Sequence, residues 1–337
     1  MNLSIGIVGL PNVGKSTLFQ LLTKKEVNIA NYPFCTIDPN IGVVTVPDAR
    51  LQKLTEMSQS ENTIPAVVEF FDIAGLVKGS NKGEGLGNQF LANIRETNAI
   101  VQVVRCFVDE SVVHIAGKID PREDLEIVNT ELILKDLETV VKRIDKIRGE
   151  AKSGDKQALK ELDLLQKVKD ILGQDKLLVN NLEEEIVANP PLSSLNLLTA
   201  KKQIYLLNGK ENDIPEEVID KIKMLKGDYI ILDLETGADL SPLIKKSYQV
   251  LNLISFFSTR EDETRAWTIR RGTKASGAAG VIHSDFEKKF IKAEVINWEK
   301  LLEAGSWSNA RQKGWLRLEG KEYAVQDGDV MVIKHGG

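Results

Sequence analysis

The chain has 337 residues, of which 42% are hydrophobic and 28% charged, with a formal net charge of −5. This length predicts two or three domains, and the composition is that of an ordinary globular protein. No apolar run approaches the ~18–20 residues that a membrane-spanning helix needs, and the negative charge does not indicate a DNA-binding protein. We therefore expect neither a membrane nor DNA as a partner.

The start of the chain and its cysteines bear on location. Residues Met1–Val8 carry no basic segment of a secretory signal and lead directly into a glycine-rich loop. The two cysteines, Cys35 and Cys106, lack metal-binding spacing, and such usage is typical of a reducing compartment. We expect a cytoplasmic protein.

Short apolar runs rich in Val, Ile and Phe alternate with stretches of helical periodicity. This alternation predicts an α/β domain with a buried, mainly parallel sheet wrapped by helices. The runs are Ile5–Val8, Ala66–Phe71, Ala99–Phe107, Gln203–Leu207 and Tyr229–Leu232.

The segment Gly9–Thr17 matches the phosphate-binding pattern G-x-x-x-x-G-K-[ST] between a predicted strand and a predicted helix. Backbone N–H groups of such a loop point at phosphate oxygens, while Lys15 supplies a positive charge and the Ser16 hydroxyl binds Mg²⁺. The pattern therefore predicts a site that binds and hydrolyses a nucleoside triphosphate. The predicted phosphate-binding residues of the loop are Asn12, Val13, Gly14, Lys15, Ser16 and Thr17.

Two further segments are expected to meet the triphosphate. Asp72 and Gly75 form a D-x-x-G pattern at the end of an apolar run, so Asp72 would hold Mg²⁺ through water and the Gly75 N–H would meet the γ-phosphate. Thr36 lies in the loop between the two patterns and is a candidate Mg²⁺ ligand, the alternative being a solvent-facing hydroxyl. Leu76 stands where many GTPases place a glutamine that orients water. Hydrolysis is thus either slow or assisted by another group.

Residues 121–174 are highly charged, with one narrow apolar stripe at helical spacing on either side of a break at Ser153–Asp155. This pattern predicts an antiparallel helical hairpin inserted into the α/β domain. An ordinary helical layer of the core is the alternative.

The base-reading position departs from the guanine-specific pattern N-K-x-D, whose aspartate accepts hydrogen bonds from guanine N1–H and the 2-amino group. Here the strand leads into Asn208-Gly209-Lys210-Glu211, so a longer glutamate replaces the aspartate. Asn208, Gly209 and Glu211 are the predicted base-binding residues. The replacement weakens a guanine code and leaves Asn208 and nearby backbone to read an adenine edge.

From Ser255 the composition changes to short apolar runs separated by Gly and Asp-Gly turns, which predicts a small β-rich domain. Its helix is expected over Ser284–Ala293, with Ser284 or Asp285 as N-cap. These residues are slightly richer in basic than in acidic side chains, which is compatible with an RNA partner but arises often by accident.

Together these segments resemble the YchF/Obg-like ATPases over nearly the whole chain. The base-reading residues fit that family's N-x-x-E variant, and two C-terminal segments resemble its TGS domain. The segments that carry the resemblance are Gly9–Thr17, Asn31–Thr36, Asp72–Gly79, Gly85–Leu91, Asn208–Glu211, Arg265–Ile269 and Ala279–Phe286.

The resemblance implies a Ras-like nucleotide domain over residues 1–120 and 175–254, a helical-hairpin insertion over 121–174 and a β-grasp-like TGS domain over 255–337. It implies ATP as the preferred nucleotide with GTP weaker, slow hydrolysis, Mg²⁺ as cofactor and the ribosome or its RNA as partner. His114 matches a residue proposed to act in catalysis beside Lys15, since neutral imidazole can orient water. Asn12 matches an asparagine that helps to hold K⁺ in related proteins, although shaping the loop would equally explain it.

Three alternatives stay open on the sequence alone. The first is a GTPase that acts in translation or ribosome assembly. The second is an RNA- or protein-binding module that nucleotide only stabilises. The third is a small-molecule kinase, which the absence of lid arginines and the TGS-like C-terminal part disfavour.

Overall fold

Two six-stranded sheets organise the residues that the computed structural model describes, which are 4–24, 40–72, 94–107, 119–188 and 190–336. The first sheet has the order β2-β4-β1-β5-β6-β7. Its strands are β1 (Ser4–Val8), β2 (Ile41–Thr45), β4 (Val67–Asp72), β5 (Ala99–Arg105), β6 (Lys202–Asn208) and β7 (Asp228–Leu232).

The first sheet is parallel except at one edge, where β2 runs antiparallel to β4. Every residue of β1 and β5 is buried, as expected for strands covered on both faces. Helices α1 (Lys15–Thr23), α7 (Glu216–Met224) and α8 (Ser241–Val250) pack beside this sheet, whereas α2 (Ala49–Ser58) packs against the second sheet. The predicted α/β fold with a buried parallel sheet is confirmed.

The charged central segment forms two helices, α3 (Pro121–Lys152) and α4 (Lys156–Leu172), separated by three residues. Asp155 caps α4 by accepting hydrogen bonds from the backbone N–H groups of Gln157 and Ala158. The pair Arg143–Glu161, 2.5 Å apart, joins the two helices side by side. The predicted antiparallel hairpin is therefore present, and its break falls at Ser153–Asp155 as expected.

The hairpin has two parts with different surroundings. Val128 and Leu132, near the start of α3, belong to the main apolar core beside the first sheet. Further along, Val140, Ile144 and Ile147 pack instead against residues of α4. Two short helices, α5 (Glu184–Ala188) and α6 (Leu192–Leu195), then lead the chain back to β6.

The second sheet has the order β11-β10-β12-β8-β9-β3. Its sixth strand, β3 (Asn62–Ile64), comes from the N-terminal part of the chain and pairs in parallel with β9. The other strands are β8 (Leu253–Thr259), β9 (Glu263–Arg270), β10 (Phe290–Asn297), β11 (Arg317–Glu319) and β12 (Asp329–His335). The helices of this region are α9 (Ala275–Ile282), α10 (Ser284–Lys288), α11 (Trp298–Ala304) and α12 (Trp307–Gln312).

The predicted helix over Ser284–Ala293 is wrong in its second half. Helix α10 ends at Lys288, and Phe290 already begins β10 because Phe290, Ala293 and Val295 point into the core of the second sheet. The N-cap is His283, whose Nδ1 accepts a hydrogen bond from the backbone N–H of Asp285 at 3.2 Å. The β-rich character of the region is as predicted.

An arginine joins the N-terminal part to the second sheet. The Arg50 guanidinium donates to Asp48 Oδ1 at 2.9 Å and to Asp327 Oδ2 at 3.0 Å. Asp327 in turn accepts a hydrogen bond from the backbone N–H of Ser255 at 3.0 Å. With the β3–β9 pairing, this network fixes the second sheet against α2.

Within the described ranges, no helix combines the length and the apolar character that crossing a membrane requires.

Candidate nucleotide site

The loop Gly9–Thr17 leaves the carboxyl end of β1 and enters α1, and two glycines make its path possible. Gly14 has φ +105°, and a Cβ atom there would lie 2.5 Å from Asn208 Nδ2. Gly9 has φ +151°, and a Cβ atom there would lie 2.5 Å from the carbonyl oxygen of Val103. Any other residue at either position would strain the backbone and push these neighbours away.

Lys15 is the first residue of α1 and is only 8% exposed. Its Nζ donates a hydrogen bond to the carbonyl oxygen of Leu10 at 2.7 Å, so the ammonium is held against the loop. Burial lowers the pKa of Lys15 to about 8, while the nearby charge of Asp72 acts in the opposite direction. The Lys15 ammonium is thus a partly desolvated cation at the place where phosphate oxygens are expected to bind.

Asp72 ends β4, and the parallel register pairs it with Ile7 of β1, one residue before the strand ends. Its carboxyl group therefore lies beside the phosphate loop. The half-buried position raises the pKa of Asp72, and the charge of Lys15 opposes that shift. Sheet pairing thus brings together two residues that are 57 positions apart in the sequence, Lys15 and Asp72.

The oxygen donors at this loop fit Mg²⁺. The Ser16 hydroxyl, which is exposed, and the Asp72 carboxylate are hard oxygen groups of the kind that Mg²⁺ takes beside phosphates and water. Among the described residues no group of three or more His, Cys, Asp or Glu could hold a metal by itself.

A cavity of about 390 Å³ extends from the loop toward the carboxyl ends of β5, β6 and β7. A volume of this size is that of a small-molecule site. One end is formed by the phosphate loop, and the other, here called the base end, by residues at the carboxyl ends of three different strands. The lining residues are Asn12, Gly14, Lys15, Ser16, Thr17, Phe107, Asn208, Asp233, Leu234 and Glu235.

Asn208 connects the two ends of the cavity. It is 4% exposed, its Nδ2 donates to the carbonyl oxygen of Val13 at 2.9 Å, and its Oδ1 accepts from the backbone N–H of Leu234 at 3.2 Å. Its amide thus holds the loop and the 233–235 segment in place, and its role in reading the base stays a prediction. Asn208 still lines the cavity.

The other two predicted base-binding residues do not line the cavity. Glu211 begins a single exposed turn, Glu211–Asp213, and Gly209 is buried against Cys106 and Phe107. The structure instead places Phe107, Asp233 and Glu235 at the base end. None of the three was among the predicted base-binding residues, although Phe107 ends one predicted strand and the other two follow another, and ligands of open α/β sheets bind beyond the carboxyl ends of the strands.

Four predicted functional residues lie outside the described residues. They are Thr36, Gly75, Leu76 and His114. Their assignments stay predictions.

The fold and the loop define a P-loop nucleotide-binding protein, and comparisons with known proteins agree. A family model described as 50S ribosome-binding GTPase matches residues 4–143, and a model named YchF-GTPase_C, described as a protein of unknown function, matches residues 253–336. The solved structure of the Schizosaccharomyces pombe YchF GTPase superposes with a TM-score of 0.85 at 37% identity, covering 99% of this chain and 98% of that one.

Curated relatives define the family. Proteins named ribosome-binding ATPase YchF from Bacillus subtilis and Haemophilus influenzae are each 45% identical to this chain, covering 98% of it and 98% of their own length. The chain belongs to the YchF family, and the resemblance seen in the sequence is confirmed.

Proposed function

We propose that the chain is a P-loop ATPase that binds ATP with Mg²⁺, hydrolyses the β–γ phosphate bond slowly and associates with the ribosome. The observation that carries the proposal is the phosphate loop, in which Gly14 and Lys15 line one end of a cavity of about 390 Å³ and Lys15 interacts with the charge of Asp72. The names of the curated relatives, ribosome-binding ATPase, support both the nucleotide and the partner.

Each residue of this site has a defined task in this proposal. Backbone N–H groups at the start of α1 bind phosphate oxygens, because they have no partner within the helix. Lys15 exchanges its hydrogen bond to Leu10 for the β- and γ-phosphates, which offer full negative charges in place of a carbonyl dipole. Ser16 and Asp72 hold Mg²⁺, directly and through water respectively. When bound, the ion supplies positive charge to the phosphates during transfer.

The hydrolytic step is assigned to residues near the γ-phosphate. Leu76 cannot orient water, so slow turnover is the basal state. His114 takes over that role in the proposal, together with the electrostatic contribution of Lys15, and Gly75 and Thr36 act as switch residues.

A potassium ion is a second proposed cofactor. Asn12 is exposed, lines the cavity and has a backbone φ of +62°. An amide oxygen there, in the proposal, helps to hold K⁺ beside the phosphates and so adds charge during transfer.

The remaining domain assignments are proposals as well. The mixed second sheet with α9 packed against it supports a β-grasp-like TGS domain over residues 255–337. The nucleotide domain then comprises 1–120 and 175–254, with the hairpin of 121–174 inserted. A ribosome-associated protein of this kind would act in the cytoplasm.

A guanine-specific GTPase is the second candidate. It is favoured by the word GTPase in the names of the fission yeast structure and of the matching N-terminal model. The departure of Glu211 from the guanine code and its position outside the cavity favour ATP instead.

Nucleotide hydrolysis measured with and without purified ribosomes, in K⁺ and in Na⁺, tests the proposal. We expect ATP turnover that is slow alone and faster with ribosomes, and a higher rate in K⁺ than in Na⁺. Turnover of GTP that exceeds turnover of ATP under every condition would support the GTPase instead. A rate that ribosomes do not change would remove the proposed partner.

A further inference from the structure

An acidic residue at the base end of the cavity offers a means of choosing the nucleotide. In the guanine-specific pattern the base-reading acid is the fourth residue of the segment that here begins with Asn208, and that residue is Glu211. Glu211 is exposed and does not line the cavity, whereas Asp233, which follows β7, does. The acidic residues that line the cavity, Asp233 and Glu235, therefore follow β7 and not β6.

Asp233 is held in position on both sides. Leu232 before it ends β7, and its carbonyl oxygen accepts a hydrogen bond from the Gly209 N–H at 3.1 Å. Leu234 after it is 2% exposed and donates its backbone N–H to Asn208. The backbone of Asp233 is thus fixed between two anchored neighbours.

The side chain of Asp233 is oriented as well. One carboxylate oxygen, Oδ1, accepts a hydrogen bond from the backbone N–H of Glu235 at 3.1 Å. Such a short-range bond restricts the rotamer and directs the carboxylate. Glu235 also lines the cavity but is exposed, and no hydrogen bond or ion pair holds its carboxylate among the described residues.

A carboxylate can only accept hydrogen bonds. Adenine carries an N6 amino donor at the position where guanine carries the O6 acceptor. An oriented carboxylate at that position therefore attracts adenine and repels guanine. A carboxylate that faced guanine N1–H and the 2-amino group would have the opposite preference.

We propose that Asp233 is a specificity-determining residue that accepts a hydrogen bond from the N6 amino group of adenine and disfavours guanine through its O6. The inference rests on the proposed ATPase function and deepens it, since it assigns the base preference to one side chain. Phe107, half-buried beside it, supplies an apolar wall for the purine ring.

Equilibrium binding of four triphosphates to the full chain tests the proposal: ATP, purine riboside triphosphate, which lacks the 6-amino group, ITP and GTP. We expect the wild type to bind ATP about tenfold more tightly than purine riboside triphosphate, the size of one hydrogen bond to a charged group. In Asp233→Ala this difference disappears. Asp233→Asn retains an oxygen for the Glu235 N–H and gains an amide donor, so ITP and GTP bind more tightly to it than to the wild type.

Glu217→Gln, which changes an exposed carboxylate of α7 outside the cavity, is the matched control, and we expect it to keep the wild-type order of the four nucleotides. If Asp233→Ala binds ATP, purine riboside triphosphate and GTP in the wild-type ratios, the assignment of Asp233 is wrong. If the wild type itself binds GTP more tightly than ATP, the proposed ATP preference fails first, independently of Asp233. If the order of the four nucleotides changes in Glu211→Gln instead, the base is read by Glu211, at the position of the acid in the guanine-specific pattern.

Discussion

The two ends of the nucleotide cavity are built in different ways. The phosphate end comes almost entirely from one stretch, Gly9–Thr17, with Asp72 added through the register of β1 and β4. The base end is assembled from residues at the carboxyl ends of three strands, Phe107, Asn208 and Asp233. The phosphate loop contacts only phosphates and so can bind any nucleoside triphosphate. The base end consists of separate residues, so a single substitution there can change which base is preferred. Affinity for triphosphate and choice of base are thus separable in this chain.

Lys15→Ala should have the largest effect on the phosphate end. It removes the cation that the loop holds at the cavity, so hydrolysis should fall by about a hundredfold or more, the usual cost of removing one preorganised electrostatic contact. ATP and GTP should lose affinity to the same extent, since the ammonium meets only phosphate. Titration of both nucleotides, with single-turnover hydrolysis, measures this.

Lys24→Ala is the matched control for that variant, because Lys24 is exposed just beyond the other end of α1. It should bind and hydrolyse like the wild type. A Lys15→Ala protein that lost ATP binding but kept GTP binding would show that the two ends are not separable.

Gly14→Ala should affect both ends together. Alanine at this position would have to adopt φ +105°, and its Cβ would lie too close to Asn208 Nδ2. The free energy of unfolding should therefore fall by about 1–3 kcal/mol, and both nucleotides should bind more weakly. Gly154→Ala provides the comparison, since Gly154 has φ +90° but a Cβ atom there would meet no neighbour within 4 Å. That variant should lose stability from backbone strain alone and keep its nucleotide affinity. Equal nucleotide affinities in the two variants would contradict the close contact at Gly14.

Asn208→Ala should have a smaller effect, again on both ends. Removing the amide leaves the Val13 carbonyl and the Leu234 N–H without their partner, at a cost of about 1–3 kcal/mol in unfolding free energy. Affinity for ATP and affinity for GTP should fall to the same extent, because the phosphate loop and the 233–235 segment each lose their hydrogen bond to Asn208. Asn297→Ala, which removes a helix cap far along the chain, should reduce stability without changing nucleotide affinity. A selective loss of ATP binding in Asn208→Ala would mean that Asn208 reads the base directly.

The smallest effect expected is a pH dependence that belongs to the phosphate end. Because burial lowers the pKa of Lys15 to about 8, the nucleotide-free chain loses this charge as pH rises through that value. Nucleotide affinity should therefore be level up to about pH 8 and then decrease, by at most about tenfold per pH unit. The Lys15→Ala variant should give a level profile over the same range. A wild-type profile equally level to pH 10 would contradict the buried ammonium.

The stability of the nucleotide-free chain should increase with pH over the range in which nucleotide affinity decreases. The unfolded chain keeps this proton up to about the ordinary lysine pKa of 10.5, so the unfolded state binds more protons between pH 8 and 10.5. The contribution of Lys15 to stability is unfavourable below pH 8 and is relieved as pH rises through that window.

Most of the phosphate end could be predicted from the sequence, because the residues of its loop are consecutive and the loop conformation depends on glycines at fixed positions. The first sheet and the hairpin were also predictable, since buried strands and long amphipathic helices leave clear periodic patterns. The structural role of Asn208 was not predictable, because its side chain forms hydrogen bonds with the backbone of Val13 and Leu234, which are distant from it in the sequence. Asp233 was not among the predicted base-binding residues, because its place at the cavity depends on the pairing of β7 with β6.

The error at Ser284–Ala293 has a different origin. The segment Phe290–Ala293 contains Lys and Ala residues that suit a helix, but Phe290 and Ala293 are buried in the core of the second sheet, where β10 pairs with β12. Tertiary pairing overrides local preference at such positions. A short helix followed immediately by a strand gives no periodic signal long enough to place the boundary.

Competition of unlabelled ATP and GTP for a fluorescent triphosphate analogue tests the separation of the two ends most directly. We predict that the wild type binds ATP at least about tenfold more tightly than GTP, as one hydrogen bond to a charged group would provide. We also predict that Asp233→Ala reduces this ratio while Lys15→Ala weakens both nucleotides equally. Tenfold tighter binding of GTP by the wild type would contradict the proposed base preference.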